Sequence, residues 1–175
     1  MMANVDPADL LFLDETSTPI TLTPLRARAP RGHRAVGSVP RGKRPHLSWL
    51  ATLTATGLGP SLVVEGAVDG EVFVLFVEQV LLPSLRPGQI VVLDNLNVHK
   101  STRARELIEA AGCRVVFLPS YSPDFNPIEQ AFAKTKQALR RVGARSFDAI
   151  VTAVGEALDR VTAADARAFF ADAGF

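Results

Sequence analysis

Five short segments rich in apolar residues, each bounded by acidic, polar, glycine or proline residues, predict strands. Those in the later part of the chain are continuously apolar, as is typical of parallel strands that are buried on both faces of a sheet. Between the second and third runs, the glycines and the proline of 57–60 predict a turn. The predicted strands cover residues 9–15, 46–56, 61–65, 89–94 and 114–118.

Apolar positions spaced three or four apart predict helices in the rest of the chain. Pro83 would end the first helix, and Ser101 and Gly112 suit the N-cap and the end of the second. The expected order, β-β-β-α-β-α-β-α followed by two helices, defines an α/β protein with a mixed five-stranded sheet, in one domain spanning 1–175. The predicted helices cover 69–82, 101–111, a stretch that begins at 127, 147–161 and 163–173, the last two forming a C-terminal region of about 146–173.

Composition places the chain among soluble globular proteins, with 47% hydrophobic and 21% charged residues. No apolar stretch approaches the 18 residues of a membrane span, and the N-terminus has no secretory signal. The single cysteine, Cys113, excludes an internal disulfide and suggests a reducing compartment. We therefore expect a cytoplasmic protein without membrane association.

Positive charge is concentrated in two zones, although the net charge is only +1. The first is a Pro-, Gly- and Arg-rich segment, expected to form a loop or an irregular hairpin over about 16–45. The stretch 16–64 contains no acid, and a polyanionic partner is therefore favoured over a merely solvated surface. The cations of the two zones are Arg26, Arg28, Arg31, Arg34, Arg41, Lys43 and Arg44, and then Lys134, Lys136, Arg140 and Arg141.

Two aspartates, Asp14 and Asp94, each follow an apolar strand run. Sites in open α/β sheets form beyond the carboxyl ends of strands, but turns also favour aspartate, so each alone is as easily structural as functional. If the strands are neighbours, two carboxylates ~4 Å apart repel by about 4 kcal/mol at an effective dielectric near 20. Such a cluster requires a cation or raised pKa values, and Mg²⁺ prefers oxygen ligands of this kind.

Glu129 permits two interpretations. The stretch 126–129 (NPIE) resembles a capping box, with Asn126 as the N-cap, Pro127 at N1 and Glu129 bonding back to the N-cap amide. Alternatively, Glu129 begins a helix face that continues with Lys136 and Arg140, which suits a metal site beside a nucleic-acid track. The local sequence favours the second interpretation only slightly.

Three further residues are candidates for a role beside these carboxylates. His99, five positions after Asp94, suits either a group that orients a carboxylate or phosphate, or a structural loop histidine. Asn126 is better explained as an N-cap than as a metal ligand. Glu15 should point to the face opposite Asp14 if the strand continues, so Asp14 is the preferred ligand.

These motifs together resemble the catalytic domain of the bacterial insertion-sequence branch of the Tc/mariner-like DDE transposases, which have an RNase H-like fold. The resemblance covers nearly the whole chain, and its last two motifs are the most specific. Thirty-four residues separate Asp94 from Glu129, a spacing typical of this group. The motifs are 13–15 (LDE), 29–32 (APRG), 69–73 (DGEVF), 92–100 (VLDNLNVHK) and 118–129 (LPSYSPDFNPIE).

The resemblance implies that Asp14, Asp94 and Glu129 form a DDE triad that binds two Mg²⁺ (or Mn²⁺) ions. It also implies cleavage of double-stranded DNA at transposon ends, followed by attack of the freed 3′-hydroxyl on target DNA, by a chain that is a homodimer on DNA. His99 and Asn126 would support the triad. The cations expected to contact DNA are Arg28, Arg31, Arg34, Lys43, Arg44, Lys136 and Arg140.

The chain departs from the family pattern at its front, where relatives usually carry a helix-turn-helix region. That absence is consistent with a frameshifted second reading frame, a truncated relative or an expressed domain, and with a helix-turn-helix partner or fused segment. Two other functions stay open: a non-catalytic DNA-binding or regulatory transposase fragment, and a junction-resolving or RNA-cleaving nuclease on the same fold.

Overall fold

Five strands form one mixed sheet in the computed structural model, which describes residues 5–37, 46–120, 122–144 and 146–175. The sheet order is β3-β2-β1-β4-β5, with β1, β2 and β3 antiparallel and β1, β4 and β5 parallel. This confirms the predicted mixed sheet and places the first strand at its centre. The strands are β1 (Leu10–Pro19), β2 (His46–Thr54), β3 (Gly57–Glu65), β4 (Ile90–Leu93) and β5 (Arg114–Phe117).

Helices cover both faces of the sheet. The helix predicted over 69–82 begins at its Asp69 cap, then continues as a π turn and a 3₁₀ turn that includes Pro83 instead of ending there. None of the helices in the described residues is long and apolar enough to cross a membrane. The helices are α1 (Gly70–Phe76), α2 (Thr102–Ala110), α3 (Pro127–Val142), α4 (Phe147–Leu158) and α5 (Ala163–Asp172).

Two boundaries of the predicted hairpins are wrong. β1 does not end at residue 15, because its second half pairs with β2 as far as Pro19, so the basic loop starts later than 16. The turn predicted over 57–60 lies earlier, at 55–56, and 57–60 belong to β3. Gly59 is needed there because a Cβ would lie 2.6 Å from the Thr52 hydroxyl, closer than real contacts allow.

The central strand carries apolar side chains on both of its faces. Phe12 belongs to a core shared with β2, α3, α4 and α5, whereas Leu13 belongs to a second core shared with α1 and α2. Trp49 of β2 packs edge-to-face on Phe132 of α3, with ring centroids 6.1 Å apart. Because both faces are covered, α3 is held against the sheet with its first turn close to the middle of β1.

Candidate active site

Asp14 lies inside β1, one residue beyond the pair Leu13–Leu93 that joins β1 to the parallel strand β4. The sequence predicted a strand end here, but the strand continues and pairs Asp14 with Ala51 of β2. Its side chain is only 4% exposed. One carboxylate oxygen accepts a hydrogen bond from the Glu15 amide at 2.8 Å, which fixes its orientation.

Asp94 follows β4 directly, so the parallel register brings it beside Asp14. Its Oδ1 accepts a hydrogen bond from the Leu96 amide at 3.0 Å and also contacts Nδ1 of His99. The side chain is 29% exposed. Asp94 is therefore the more accessible of the two aspartates, and its open side faces a cleft.

Glu129 lies in the first turn of α3 and does not form the capping box. The Asn126 amide donates to the Pro123 carbonyl at 2.9 Å instead of to Glu129. The Asn126 side chain makes no cap bond either, and donates from Nδ2 to Oδ2 of Asp14 at 2.8 Å. Asn126 therefore occupies the predicted N-cap position, but its side chain does not cap the helix and is oriented instead by its bond to the buried carboxylate of Asp14. Because the Asn126 backbone amide is bonded to Pro123, Glu129 has no capping partner there and lines the cleft.

One cleft of about 320 Å³ contains all three predicted carboxylates. A hydrogen bond of 2.7 Å from Asn95 Nδ2 to Ser120 Oγ joins the segments that follow β4 and β5 across it. The cleft is open on one side and deep enough to bury Asp14 at its base. Its lining residues are Asp14, Asp94, Asn95, Leu96, Leu118, Pro119, Ser120, Ser122, Pro123, Asn126 and Glu129.

Behind the cleft, His99 joins Asp94 to a fourth carboxylate. The imidazole is 1% exposed, lies 4.8 Å from the Phe73 ring, and bonds Oε2 of Glu15 through Nε2 at 2.5 Å. Its contact with Asp94 agrees with the carboxylate-orienting interpretation of His99. Ligand atoms of Asp14, Glu15 and His99 all lie within 4.8 Å of one another.

Strand alternation predicted the face on which Glu15 lies, but not its bond to His99. Alternation correctly puts its Cβ on the other face of β1, but the long side chain still reaches the histidine that holds Asp94. The signal in the sequence was the pair Asp14-Glu15 together with a histidine soon after Asp94. Two consecutive acids together with one buried histidine indicate a hydrogen-bond network behind the cleft.

Burial and crowding set the charge state of this site. Burial, then Asp94 and Glu15, raise the pKa of Asp14 to about 7. Burial also raises the pKa of Glu129, with Lys136 acting against it and Asp94 and Glu15 adding to it. Carboxylates that resist ionisation in the free protein are stabilised by a cation, which supplies the missing charge.

His99 supplies part of that positive charge. Burial alone would lower its pKa, but the hydrogen bonds to Asp94 and Glu15 outweigh burial and raise the pKa to about 9. For Asp94, burial is likewise outweighed, chiefly by His99 and the Leu96 amide, and the pKa is lowered. A neutral-pH site therefore contains an imidazolium, an ionised Asp94 and an Asp14 close to its titration point.

The donor set suits a hard divalent cation. Oxygen atoms of Asp14, Asp94 and Glu129 face one open cleft, and Mg²⁺ or Mn²⁺ takes such ligands while retaining water. Asp14 is held within β1, Asp94 is held at the end of β4 by His99, and Glu129 is held by the start of α3. Two buried or half-buried carboxylates and one exposed carboxylate thus line the cleft.

The predicted DNA contacts come from two segments of the chain. Arg28, Arg31 and Arg34 are exposed in the segment between β1 and β2, and Lys136 and Arg140 are half-buried on α3. Lys43 and Arg44, like Arg41, lie outside the described residues. Lys134 differs from the other cations of α3, because its Nζ pairs with Oδ2 of Asp165 at 2.5 Å. Contact of these cations with DNA stays a prediction.

The mixed sheet and its acidic cleft place the chain in the RNase H-like fold class. Residues 9–151 match the model of the DDE superfamily endonuclease family. The chain therefore belongs to the DDE superfamily endonucleases. No curated protein matches its sequence.

Solved structures of Mos1 transposase share the fold. The Mos1 paired-end complex with the left transposon end superposes with a TM-score of 0.80 at 15% identity, over 96% of this chain and 53% of that one. A pre-cleavage Mos1 transpososome gives 0.78 at 14% identity, over 94% and 52%. The Mos1 catalytic domain with raltegravir and Mn gives 0.72 at 14% identity, over 96% and 78%. The chain thus spans about half the length of the Mos1 chains in the DNA complexes.

Proposed function

We propose that this chain is the catalytic domain of a transposase, which cuts DNA at transposon ends and joins the freed 3′-hydroxyl to target DNA. The observation that carries the proposal is the convergence of Asp14, Asp94 and Glu129 in one open cleft. Membership of the DDE endonuclease family and the fold shared with Mos1 transpososomes support it. The bacterial insertion-sequence branch remains the expected origin.

Asp14, Asp94 and Glu129 are proposed to hold two Mg²⁺ or Mn²⁺ ions, and Mos1 complexes with Mg and with Mn support that choice of metal. Bound ions of this kind would lower the pKa of an attacking water or hydroxyl and stabilise the leaving oxygen. His99 holds Asp94 in a single orientation, and Asn126 does the same for Asp14. The protein thereby fixes ligand positions before DNA arrives.

The partners proposed for the whole protein are double-stranded DNA, a second copy of the chain and a helix-turn-helix region. Mos1 is seen in paired-end complexes, which supports assembly of two copies on DNA. The catalytic domain proposed here, over 1–175, would then receive its substrate from a separate DNA-recognition element. The exposed cations of the segment between β1 and β2 suit the DNA backbone.

The test of this function is metal-dependent strand cleavage. Supercoiled plasmid and duplex oligonucleotides that carry the ends of the native element are incubated with Mg²⁺, Mn²⁺, Ca²⁺ or EDTA. Nicking is expected with Mg²⁺ or Mn²⁺ only, and a pre-cut end with a 3′-hydroxyl should be joined to a target plasmid. DNA binding without any turnover would favour the non-catalytic fragment instead. Preferential cutting of four-way junctions or RNA–DNA hybrids would favour another RNase H-like nuclease.

Glu15→Gln tests the network behind the cleft. The substitution keeps a hydrogen-bonding group opposite His99 but removes one of its two anionic partners. We expect about 10- to 100-fold slower cleavage at low metal concentration, as is common when the support of a metal ligand is lost. The measurement is the Mn²⁺ concentration for half-maximal cleavage, which should rise.

The matched control for this variant is Glu65→Gln, which alters an exposed strand glutamate away from the cleft. Its metal dependence should equal that of the wild type. A Glu15→Gln protein with wild-type cleavage at every metal concentration would show that Glu15 has no part in positioning Asp94.

A further inference from the structure

A second cleft, of about 660 Å³, lies between the segment 24–28 and the C-terminal half of α3. Its side chains include four arginines and no acid. Arg26 and Arg28 form one wall. Arg140 and Arg141 form the other, together with Gln137 of the same helix. We call this the arginine cleft. It joins residues of the two cationic zones, and Arg28 and Arg140 are 112 positions apart in the sequence.

The guanidinium groups of this cleft have no anionic partner within the part of the chain that the structure describes. Among the described residues, none of the four arginines is in a salt bridge, whereas Lys134 on the same helix is neutralised by Asp165. The Arg140 Nε–H is buried and has no hydrogen-bond acceptor within the described part of the chain. An unsatisfied buried donor on a cation is costly, so the cleft is suited to an anion from outside.

Helix geometry aligns this cleft with the acidic one. Glu129, Lys136 and Arg140 are separated by seven and four residues, which places them on one stripe of α3. Burial and nearby Arg140 lower the pKa of Lys136, while Glu129 raises it, so Lys136 interacts electrostatically with both residues. At 1.5 Å per residue, Arg140 lies about 16 Å from Glu129 along the helix axis.

We infer that the arginine cleft binds the phosphate backbone of the DNA within about five nucleotides of the scissile phosphate. That distance follows from about 16 Å of helix and 3.4 Å of axial rise per phosphate on each strand. The inference rests on the proposed function, in which DNA enters the acidic cleft. It adds a second site, which holds the flanking duplex while the carboxylates act on the bond.

The chemistry of the cleft suits backbone phosphates. A planar guanidinium donates two parallel hydrogen bonds to a phosphate, which an ammonium group does not. Two walls of arginine across a gap suit an extended chain of phosphates. Binding here should therefore add affinity and register without sequence preference.

The test is the paired variant Arg28→Gln with Arg140→Gln, measured by DNA binding in EDTA over a range of salt. Affinity is expected to fall about 10-fold or more, and the slope of log affinity against log salt should decrease by about 2. The control is Arg160→Gln with Arg167→Gln, which removes two exposed arginines elsewhere and should leave the slope close to that of the wild type. The paired variant Arg28→Lys with Arg140→Lys should retain the slope with weaker binding.

Neutral methylphosphonates locate the contact. Placed one at a time within about five nucleotides of the cut, they should weaken binding of the wild type at particular positions and leave the Gln pair unaffected there. Wild-type affinity and slope in the Gln pair, with cleavage intact, would overturn the arginine cleft and leave the proposed function standing. If methylphosphonates weakened binding at particular positions of DNA that the wild type never cuts, the arginine cleft would be supported and the proposed function refuted. Altered self-association without a change in DNA binding would assign the cleft to a protein partner and refute the inference.

Discussion

Glu129→Gln protein should fold as the wild type does and cleave DNA about 10³-fold more slowly or worse. Glutamine has nearly the same shape but loses the anionic charge, and a metal ligand contributes several kcal/mol to the transition state, where about 4 kcal/mol corresponds to that factor. Glu129 is exposed and its side chain makes no hydrogen bond in the described part of the chain, so the free energy of unfolding should barely change. Single-turnover cleavage and thermal unfolding measure the two quantities.

Glu71→Gln is the control, because Glu71 is likewise exposed in the first turn of a helix, α1, away from the acidic cleft. It should cleave at the wild-type rate. If the Glu129→Gln protein cleaved DNA at the wild-type rate with Mg²⁺ and Mn²⁺, Glu129 would be excluded from the triad. A reduced rate with equal loss of stability in both variants would point to the fold instead of the site.

Asp14→Asn should abolish cleavage and, in metal-free protein at pH 8, raise stability. The pKa of Asp14 is raised from 3.8 to about 7 in the folded protein, so folding binds its proton more tightly than the unfolded chain does. Protonated Asp14 therefore favours folding below pH ~4, and this benefit is lost as the pH rises through 7. At pH 8 the ionised carboxylate costs roughly 2–4 kcal/mol, which the amide avoids.

The hydrogen bonds around Asp14 permit this exchange. The Asp14 carboxylate accepts one hydrogen bond from the Glu15 amide and another from Asn126 Nδ2. In the Asp14→Asn protein, one acceptor group and one donor group replace these two acceptors. Rotation of the Asn126 amide by half a turn presents its oxygen to the new donor, so neither group is left unpaired. Urea unfolding in EDTA at pH 5 and pH 8 gives the comparison, with the gain expected to be larger at pH 8. Equal destabilisation at both pH values would show that the Asp14 carboxylate is structural.

Sequence patterns predicted the elements well and their boundaries less well. Continuous apolar runs identified β1 and β4 as strands, because their apolar side chains pack into the two cores on opposite faces of the sheet. The second half of β1 was missed, since its polar residues are held by pairing with β2 and not by an apolar pattern. The glycines of 57–60 indicated a turn, whereas Gly57 is required by its positive φ of 133° and Gly59 by its close approach to Thr52.

The candidate site shows the same division. Asp14, Asp94 and Glu129 were named from strand ends, helix start and motif resemblance, and all three line one cleft. Local rules failed for Glu15 and Asn126, because each has a partner far away in sequence. The Asn126 side chain bonds Asp14 across 112 positions, and Glu15 bonds His99 across 84. Helix-cap and strand-alternation rules consider only residues close in sequence, so they do not predict such partners.

The three carboxylates lie on parts of the protein that unfold together. Asp14 is in the central strand of the sheet, with neighbours on both sides, so displacing it requires the sheet to unfold. Glu129 lies in the first turn of α3, where Ile128 is fully buried and Asn126 donates a hydrogen bond to Asp14, so this turn opens only if its packing against the sheet is lost. Hydrogen exchange at β1 and at the start of α3 should therefore report the same global unfolding. Loss of cleavage on heating should then coincide with melting of the sheet.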